Sequence, residues 1–440
     1  MANKRILYAT KRAGMGQVGA AGGAGTFRQL HGVQSVGITT TFNLEQTFEL
    51  GQLAIYENIE GIPDVSIEIE KVLDGYVPVY ILATGKNGST TTGEAGKSAS
   101  ASLIGRSNAQ CDFVLAIYKD TDEIAGDARR DETGNTTRTK HESEAHVMMS
   151  GVFVNSVSYN IGIDGYATES VGLVGQDKVW YSHRAPGGDK VVGGAVWDAA
   201  DIINAEDSPK SLTQGSGGVN RREDVLFVYP GVEGFARGLA THAGGGYVDV
   251  NGAVSGLGTV LPRQIPGISA SGTNDKTAGT FGCHIQSINC STDFGREDIF
   301  ELGRKGRYHR FVPFPTEVTC EIGVISSSGD VISATEEGMI DKANAGNLVD
   351  ETIRIHLREG LMINLGKKNK LNNVSITGGD AGGGNEEISY SYTNFNDFTV
   401  FHPQDPLKTT DGTDAAKTNN FQLRVGNAKA ANDGPSHAVL

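Results

Sequence analysis

Two glycine-rich stretches have the spacing of nucleotide-binding loops, but neither has the surroundings that such loops need. Residues 14–19 read GMGQVG, a G-x-G-x-x-G pattern. A dinucleotide site also needs a preceding strand, a following helix and an acidic residue about twenty positions further on. The residues that follow are poor helix formers, and the first acidic residue is Glu45. Residues 93–98 end like a phosphate-binding loop, but Thr91 stands where that pattern requires glycine. The chain is therefore predicted to have no cofactor.

The histidines and carboxylates form no metal or catalytic pattern. His141 and His146 flank Glu142 and Glu144. Five positions apart, the two histidines would point to opposite faces of a strand and would miss the i, i+4 spacing of a helix. No pair of carboxylates is marked as a general acid and base, and no G-x-S-x-G nucleophile motif occurs. We expect neither a metal site nor an enzyme.

Composition indicates a large β-protein without affinity for nucleic acid. The 440 residues suffice for two or three domains. The 60 glycines, together with many Thr, Ser, Val and Ile residues, favour strands joined by turns. A net charge of −14 is the opposite of the basic surface that binds phosphates. Four cysteines match no zinc spacing, which favours free thiols in a reducing compartment: Cys111, Cys283, Cys290 and Cys320. No signal peptide or membrane span is evident, so we expect a soluble protein made in a cytoplasm and without a membrane partner.

One stretch of sequence occurs twice, 252 positions apart. Residues 33–51 read VQSVGITTTFNLEQTFELG and residues 285–303 read IQSINCSTDFGREDIFELG, with nine identities in nineteen positions. After a one-residue slip, residues 65–69 match residues 318–322, and residues 154–158 more weakly resemble residues 371–375. A doubled domain suggests quasi-symmetric assembly more than a single reaction centre.

The repeat divides the chain into five segments. Residues 1–30 are predicted to form a basic, glycine-rich arm that is extended or flexible unless a neighbour orders it. Residues 31–183 are the first copy and residues 283–403 the second. Residues 184–282, which match neither copy, are an insertion, a linker or a small decoration domain. Residues 404–440 are predicted to be a loose tail.

Alternating apolar and polar residues predict half-buried strands in both copies. The clearest examples are residues 65–70 and 157–164 in the first copy, and residues 318–322, 353–358 and 388–393 in the second. Residues 113–118 read FVLAIY, which predicts a strand buried on both faces. The second half of residues 84–108 could form one short helix. The fold class is therefore mainly β: two tandem sandwich or barrel domains of antiparallel sheets, with one short helix each.

The repeated blocks resemble the tail tube proteins of long-tailed bacteriophages. The resemblance is carried by residues 33–57, 64–75 (DVSIEIEKVLDG) and 152–174 in the first copy, and by residues 295–303 and 389–400 (SYSYTNFNDFTV) in the second. It covers about half of the chain. It implies that each domain is a pair of packed, mostly antiparallel sheets. Six such domains side by side join their inner sheets into a closed barrel, and these rings stack into a tube. Two domains per chain would make each ring a homotrimer with pseudo-sixfold symmetry.

The resemblance also implies a hollow tube through which duplex DNA passes without sequence-specific binding. If each domain gives four strands, about twenty-four strands at ~4.8 Å spacing and a tilt near 45° make a barrel roughly 50 Å across. Its lumen would be on the order of 40 Å wide. A lumen of carboxylates and hydroxyls would repel or ignore DNA phosphates. The predicted lumen-lining residues, drawn from two alternating strands, are Ser66, Glu68, Glu70, Ser389, Ser391 and Thr393.

The string Arg296, Glu297 and Asp298 lies inside the second repeated block and is a candidate subunit interface; a solvated loop with weak ion pairs is the alternative. The leading function is a virion tail tube subunit that assembles with itself and with other tail proteins. A tail hub or adaptor, or another virion structural protein, is the alternative in the same class. A carbohydrate-binding or hydrolytic β-protein is a further alternative, which an aromatic-rimmed cleft with paired carboxylates would reveal.

Overall fold

A computed structural model of the protein shows the fold. The structure describes residues 11–17, 27–51, 53, 55–74, 76–84, 103–118, 143–182, 191–192, 195–196, 203–204, 219–225, 247–248, 254–255, 259, 261–262, 265, 283–304, 306–326, 350–357, 361–377 and 386–402. Residues 404–440, the predicted tail, lie outside them.

The chain is mainly β, as the alternating pattern predicts. We call residues 31–183 the first unit and residues 283–403 the second unit. The first unit and the segment before it contain β1 (Lys11–Gln17), β2 (Phe27–Gln29), β3 (Val33–Thr41), β4 (Leu44–Phe48), β5 (Ile55–Glu60), β6 (Asp64–Val72), α1 (Val79–Ala83), α2 (Leu103–Ser107), β7 (Cys111–Tyr118), β8 (Ser143–Gly162), β9 (Thr168–Gly175) and β10 (Val179–Ser182).

The middle segment and the second unit complete the strand order. The middle segment contains β11 (Val191–Val192), β12 (Ala195–Val196), β13 (Ile203–Asn204), a 3-10 helix (Arg222–Asp224), β14 (Tyr247–Val248) and β15 (Val254–Ser255). The second unit contains β16 (Cys283–Asp293), β17 (Glu297–Ile299), β18 (His309–Phe311), β19 (Glu317–Ser326), β20 (Arg354–His356), β21 (Met362–Asn364), β22 (Lys370–Thr377), β23 (Glu387–Phe395) and β24 (Thr399–Phe401).

Eight of these strands form one antiparallel layer that runs through both units. The first unit contributes β3-β6-β9-β8 and the second contributes β16-β19-β23-β22. The corresponding strands of the two units therefore have the same order, and the units join where β8 pairs with β16. Each unit gives four strands to this layer, as the barrel estimate supposes.

The two units share their irregularities as well as their order. In the first unit the register shifts at Gln34, between β3 and β6, and in the second unit it shifts at Gln286, between β16 and β19. A second shift falls at Asn155 in β8 and at Asn372 in β22. Because a β-bulge inserts one residue at a defined point of a ladder, matched bulges show that the two backbones follow the same path.

A second sheet packs behind the eight-stranded layer in each unit. The first unit uses β7, the start of β8 and β10, and the second unit uses β20, β21 and β24 in the corresponding order. β8 serves both layers of the first unit and passes from one layer to the other near Gly151, whose φ of 66° suits glycine. Apolar side chains from both layers form one buried core, such as Ile67 and Tyr390 of the eight-stranded layer and Phe113 and Ile363 of the second sheets. The result is a pair of sandwiches side by side.

Two local features differ from the prediction. Part of the predicted arm is strand β1, which pairs with β7 along its whole length and buries Ala13 and Met15. The first unit has two short helices where one was expected: α2 lies in the predicted stretch, and α1 is an additional five-residue apolar turn. Five residues are too few to show a helical period, so α1 could not be predicted from the sequence.

The middle segment touches both units where the structure describes it. β13 pairs with β2, Asn220 exchanges backbone hydrogen bonds with Leu73 and Ala167 of the first unit, and Val225 forms a bridge to Leu357 of the second unit. β14 and β15 pair with each other, and residues 249–253 between them lie outside the described ranges. No helix among the described residues is long and apolar enough to cross a membrane.

Candidate assembly surfaces

One face of the eight-stranded layer is polar across both units. Directly paired positions along this face carry small hydroxyl and amide side chains and several carboxylates, while the opposite face carries the apolar core. Part of it forms a concavity lined by residues of five adjacent strands, β3, β6, β9, β8 and β16. The carboxylates on this face include Glu68, Glu70, Asp293, Glu321 and Glu387, and Lys370 lies at its end on β22.

All six predicted lumen-lining residues lie on this polar face. Ser66, Glu68 and Glu70 are exposed on β6, and Ser35 donates a hydrogen bond of 3.4 Å to Glu70. Ser389, Ser391 and Thr393 on β23 are half-buried and lie opposite Gly323, Glu321 and Thr319 of β19. Ser389 donates to Glu321 at 2.7 Å. The structure thus places the two predicted groups on one continuous surface.

The joint between the units is a regular antiparallel pair extended by loop contacts. Seven residues of β16, from Ser287 to Asp293, pair with β8. Beyond the ends of this ladder, the Phe294 backbone N–H donates to the Asn155 carbonyl at 2.8 Å, and Ile163 donates to the Gln286 carbonyl at 3.0 Å. The joint therefore extends the sheet without a break.

The hairpin β17-β18 of the second unit lies against the end of the first unit through a cluster of charged residues. Asp298 forms ion pairs with Arg307 at 2.5 Å and with Arg310 at 2.7 Å. Both arginines also contact Asp64 of the first unit, at 2.6 and 2.5 Å. The two guanidinium groups are buried and share two carboxylates, an arrangement that desolvated arginines need.

Arg296 connects the same hairpin to two backbone carbonyls of the first unit. Its Nε donates to Val154 at 2.6 Å and its Nη2 to Ser107 at 2.5 Å. Its guanidinium lies 4.7 Å from the ring centre of Phe153. Burial, followed by the charge of Arg310, lowers the pKa of Arg296 to about 10, so it remains charged at neutral pH.

Of the three predicted interface residues, Arg296 and Asp298 thus take part in contacts between units of one chain, and Glu297 is exposed on β17. Their role between chains remains a prediction.

The two outer strands of the layer have free edges. Among the described residues, β3 pairs with β6 alone and β22 with β23 alone. Side chains at these edges are less covered than their equivalents at the joint: Ile376 is 48% exposed, whereas Tyr159, its equivalent on β8, is 1% exposed. Unpaired edges that carry apolar side chains are sites of further strand pairing.

Both units extend a hairpin with an exposed apolar tip. β4 and β5 form it in the first unit and β17 and β18 in the second. The same residue types are exposed at both tips, and they stand at equivalent positions: Phe48, Leu50 and Tyr56 in the first hairpin, and Phe300, Leu302 and Tyr308 in the second. Apolar side chains held in water at matched positions indicate a protein-binding surface.

The roots of the two hairpins differ. Phe294, at the root of the second hairpin, is 2% exposed, but its equivalent Phe42 is 69% exposed. Both phenylalanines follow the first strand of their unit, so their surroundings within the unit correspond. We attribute the difference to the neighbour, because Phe294 lies beside the first unit and no described residue occupies the corresponding place beside Phe42.

One carboxylate lies in the protein interior, away from the polar face and the hairpins. Glu169 on β9 accepts hydrogen bonds from the backbone N–H groups of Val79 and Tyr80, at 2.7 and 3.1 Å, and from the Tyr159 hydroxyl at 2.8 Å. Burial raises its pKa, and these hydrogen bonds oppose the rise. Its partners are far away in sequence, so the pattern along β9 gave no sign of it.

The described residues of the nucleotide-binding and metal-binding motifs do not form a binding site. Gly14, Met15 and Gly16 lie within strand β1, where a dinucleotide motif would need a loop. His146 is buried on β8, and burial lowers its pKa to about 4, while residues 93–98 and His141 lie outside the described ranges. Three of the cysteines are free and buried, and Cys283 lies outside the side chains described. No cluster of three or more metal-binding side chains occurs among the described residues.

Comparison with known proteins gave only weak matches to solved structures. No family model and no curated protein matches the chain. Matching solved structures include the tube-terminating cap of the anti-feeding prophage, with 8% identity and a TM-score of 0.26 over 41% of this chain and 94% of that chain. They also include the sheath–tube complex of the PVC extracellular contractile injection system, with 10% identity and a TM-score of 0.24 over 41% and 94%. A third is the baseplate of the anti-feeding prophage, with 10% identity and a TM-score of 0.25 over 42% and 100%. TM-scores this low carry no argument, so the function proposed below rests on the strands and surfaces of this chain.

Proposed function

We propose that this chain is a structural subunit of a phage-type tail tube, built by tandem duplication of one β-domain. Three chains close a ring, the rings stack into a tube, and the tube conducts DNA during ejection. The subunit is a component of the virion tail, where it contacts further copies of itself and other tail proteins, and it has no enzymatic role.

The observation that carries this proposal is the match between the free edges and the internal joint. β3 is the equivalent of β16, and β22 is the equivalent of the end of β8. The chain therefore presents, at its two outer edges, the two sides of a joint that it already forms internally. A head-to-tail contact of this kind repeats until the rotation closes a ring.

The internal joint also sets the register between chains. In the joint, Ser291 lies opposite Ser158 and Cys290 opposite Tyr159. The equivalent positions place Thr39 of one chain opposite Ser375 of the next, and Ile38 opposite Ile376. This register covers the exposed Ile376 as the joint covers Tyr159, and it keeps the polar faces of both chains on one side. A one-residue slip would put the apolar positions on the polar face.

A closed ring with the polar face inside has the dimensions and charge of a DNA conduit. Three chains with eight strands each give about twenty-four strands and a lumen on the order of 40 Å, wider than duplex DNA. The carboxylates of Glu68, Glu70 and Glu321 face this side. DNA carries one negative charge per ~1.7 Å of axis, so such a wall does not hold it.

Stacking of rings is assigned to the hairpin tips. The second hairpin lies against the first unit of its own chain, and yet Phe300, Leu302 and Tyr308 at its tip remain exposed. A neighbouring unit in the same ring therefore does not cover the apolar side chains at the tips. The next ring along the axis supplies a surface that would cover the tips of both hairpins at once.

Negative-stain electron microscopy and native mass spectrometry of the purified chain test the proposal. We expect hollow rings or filaments with a regular axial repeat, and a smallest closed species of three chains. A tip variant, Phe300→Ser with Leu302→Ser, should give rings that do not stack. A monomer at all concentrations, or filaments without a hollow core, would refute the proposal.

A further inference from the structure

We propose that the root of the first hairpin is a docking element for the second unit of the neighbouring chain. This inference rests on the ring proposed above and adds a contact that sheet closure alone does not require. The proposed contact residues are Phe42 at the root, and Leu44, Gln46, Ile55, Asn58 and Ile59 along β4-β5. The contact they make would fix the angle between neighbouring chains in addition to their strand register.

The template for this contact is the root of the second hairpin. It lies across the end of the first unit, where Arg310 and Arg307 contact Asp64 and the His309 ring packs edge-on against Phe153 at 5.4 Å. The Gln176 side chain also reaches the Arg307 carbonyl, at 3.5 Å. The second hairpin is thus held by three separate strands of the unit beside it.

The first hairpin stands at the equivalent place in its unit, but it has no such neighbour among the described residues. Every described residue of β4 and β5 is exposed, including Leu44, Ile55 and Ile59. A two-stranded hairpin is marginally stable alone in water, and an exposed apolar hairpin marks a binding surface. The hairpin therefore needs a partner surface to cover it.

The equivalent surface of the second unit suits this partner role. Equivalence of the strands places Lys370 and Leu371 where the first unit has Phe153 and Val154, Phe395 where it has Gln176, and Glu317 where it has Asp64. Phe395 is exposed, and so is the nearby Phe314. The occupant is therefore a second copy of this chain.

The chemistry of the two contacts differs in a way that distinguishes them. Positions occupied by Arg296, Asp298, Arg307 and Arg310 in the second hairpin are Leu44, Gln46, Ile55 and Asn58 in the first. The contact within a chain is thus a desolvated ion cluster, while the contact between chains is mainly apolar. Residues 42–63 also carry four glutamates and no Lys or Arg, and Lys367, Lys368 and Lys370 are exposed on the receiving unit. Lys370 also contacts Asp350, at 3.6 Å.

Site-directed cross-linking in the full-length chain tests the inference. Asn58→Cys and Glu317→Cys replace the equivalents of Arg310 and Asp64, so a short bismaleimide should join them between chains. Both positions are exposed, so the substitutions should cost at most about 0.5 kcal/mol. A second pair, Thr39→Cys with Ser375→Cys, reports on the sheet edge alone. Asn58→Cys with Asp164→Cys, at the far end of β8, is the negative control, and the native chain gives the background of its own cysteines.

We expect covalent trimers from the first two pairs. Because neighbours within a ring have effective concentrations of millimolar order, their yield at micromolar chain concentration should exceed the negative control by about a hundredfold. Trimers from the sheet-edge pair without trimers from the hairpin pair would overturn the docking inference and leave the ring standing. Absence of trimers from both pairs, in preparations that show no rings by microscopy, would overturn the ring and the docking together.

Discussion

Truncation of two equivalent phenylalanines should have opposite consequences for the isolated chain and for the assembled ring. Phe294 is buried at the joint between units, and Phe42 is exposed at the outer edge. If the two phenylalanines occupy equivalent positions in the ring, Phe294→Ala should destabilise the single chain, whereas Phe42→Ala should destabilise only the contact between chains. Both are the same chemical change, so each variant is the control for the other.

The expected magnitudes follow from burial. Removing a buried phenylalanine side chain costs about 3–5 kcal/mol of the free energy of unfolding. Phe42 is 69% exposed, and truncation of an exposed side chain changes the free energy of unfolding by about 0.5 kcal/mol or less. Covering the Phe42 ring at a joint is worth about 1–2 kcal/mol on the area scale for buried apolar side chains. Each contact between chains should thus weaken about 5- to 30-fold.

Two measurements separate these effects. Urea unfolding of the chain, below the concentration at which it assembles, gives the free energy of unfolding of each variant. Mass photometry across a dilution series gives the concentration at which rings dissociate. Equal losses of unfolding free energy for the two variants, or rings of Phe42→Ala that dissociate at the native concentration, would refute the equivalence of the two positions.

Three further predictions concern single side chains. Asp298→Ala leaves the buried Arg307 and Arg310 with one shared carboxylate and should lower the free energy of unfolding in urea by about 2–3 kcal/mol. This is less than the cost of about 3–5 kcal/mol for breaking a fully buried pair, because Asp298 is partly exposed. A loss under about 0.5 kcal/mol would show that the cluster does not hold the hairpin. Burial raises the pKa of Glu169 above its ordinary value of 4.5, so the native state binds this proton more tightly than the unfolded state. The stability of the native chain should therefore fall as pH rises from 4.5 through the raised pKa. Glu169→Gln should flatten this slope in urea titrations at several pH values, and an unchanged slope would contradict the assignment. Glu68→Lys should leave ring formation intact and make the rings retain duplex DNA at low salt in a gel-shift assay; rings that still ignore DNA would argue against a lumen position.

The strand pattern was predictable wherever a strand is half-buried in its own unit. β6 alternates in the sequence because one face meets the core and the other meets water, and its burial alternates in the same way. The sequence repeat likewise predicts that the two halves share a backbone, and the register shifts of the two units fall at the equivalent residues Gln34 and Gln286. These features depend on local side chains and could be predicted from sequence alone.

Features that depend on distant or external partners were not predictable in the same way. β1 has a glycine-rich sequence without alternation, and its order comes from pairing with β7 about a hundred residues away. Deletion of residues 1–25 would therefore remove a strand whose Ala13 and Met15 side chains lie in the core. Phe42 and Phe294 are the same residue in the same repeat, but their burial differs because one of them has a neighbour within the chain.

The candidate site shows the same division. The sequence placed Ser66, Glu68 and Glu70 on the polar side of a strand, and the structure adds that they share one surface with Ser389, Ser391 and Thr393. The string from Arg296 to Asp298 was identified by its place in the repeat. Its partners, Val154, Ser107 and the arginines of β18, come from elsewhere in the chain, so spacing along the sequence could not reveal them.

Cryo-electron microscopy of assembled particles, reconstructed without imposed symmetry, examines the contact between chains directly. The expected density shows three chains around a hollow axis, with β22 of each chain paired to β3 of the next, Ser375 opposite Thr39, and Glu68 turned toward the lumen. Six chains per ring, an open gap between these two strands, or Glu68 on the outer wall would contradict the account.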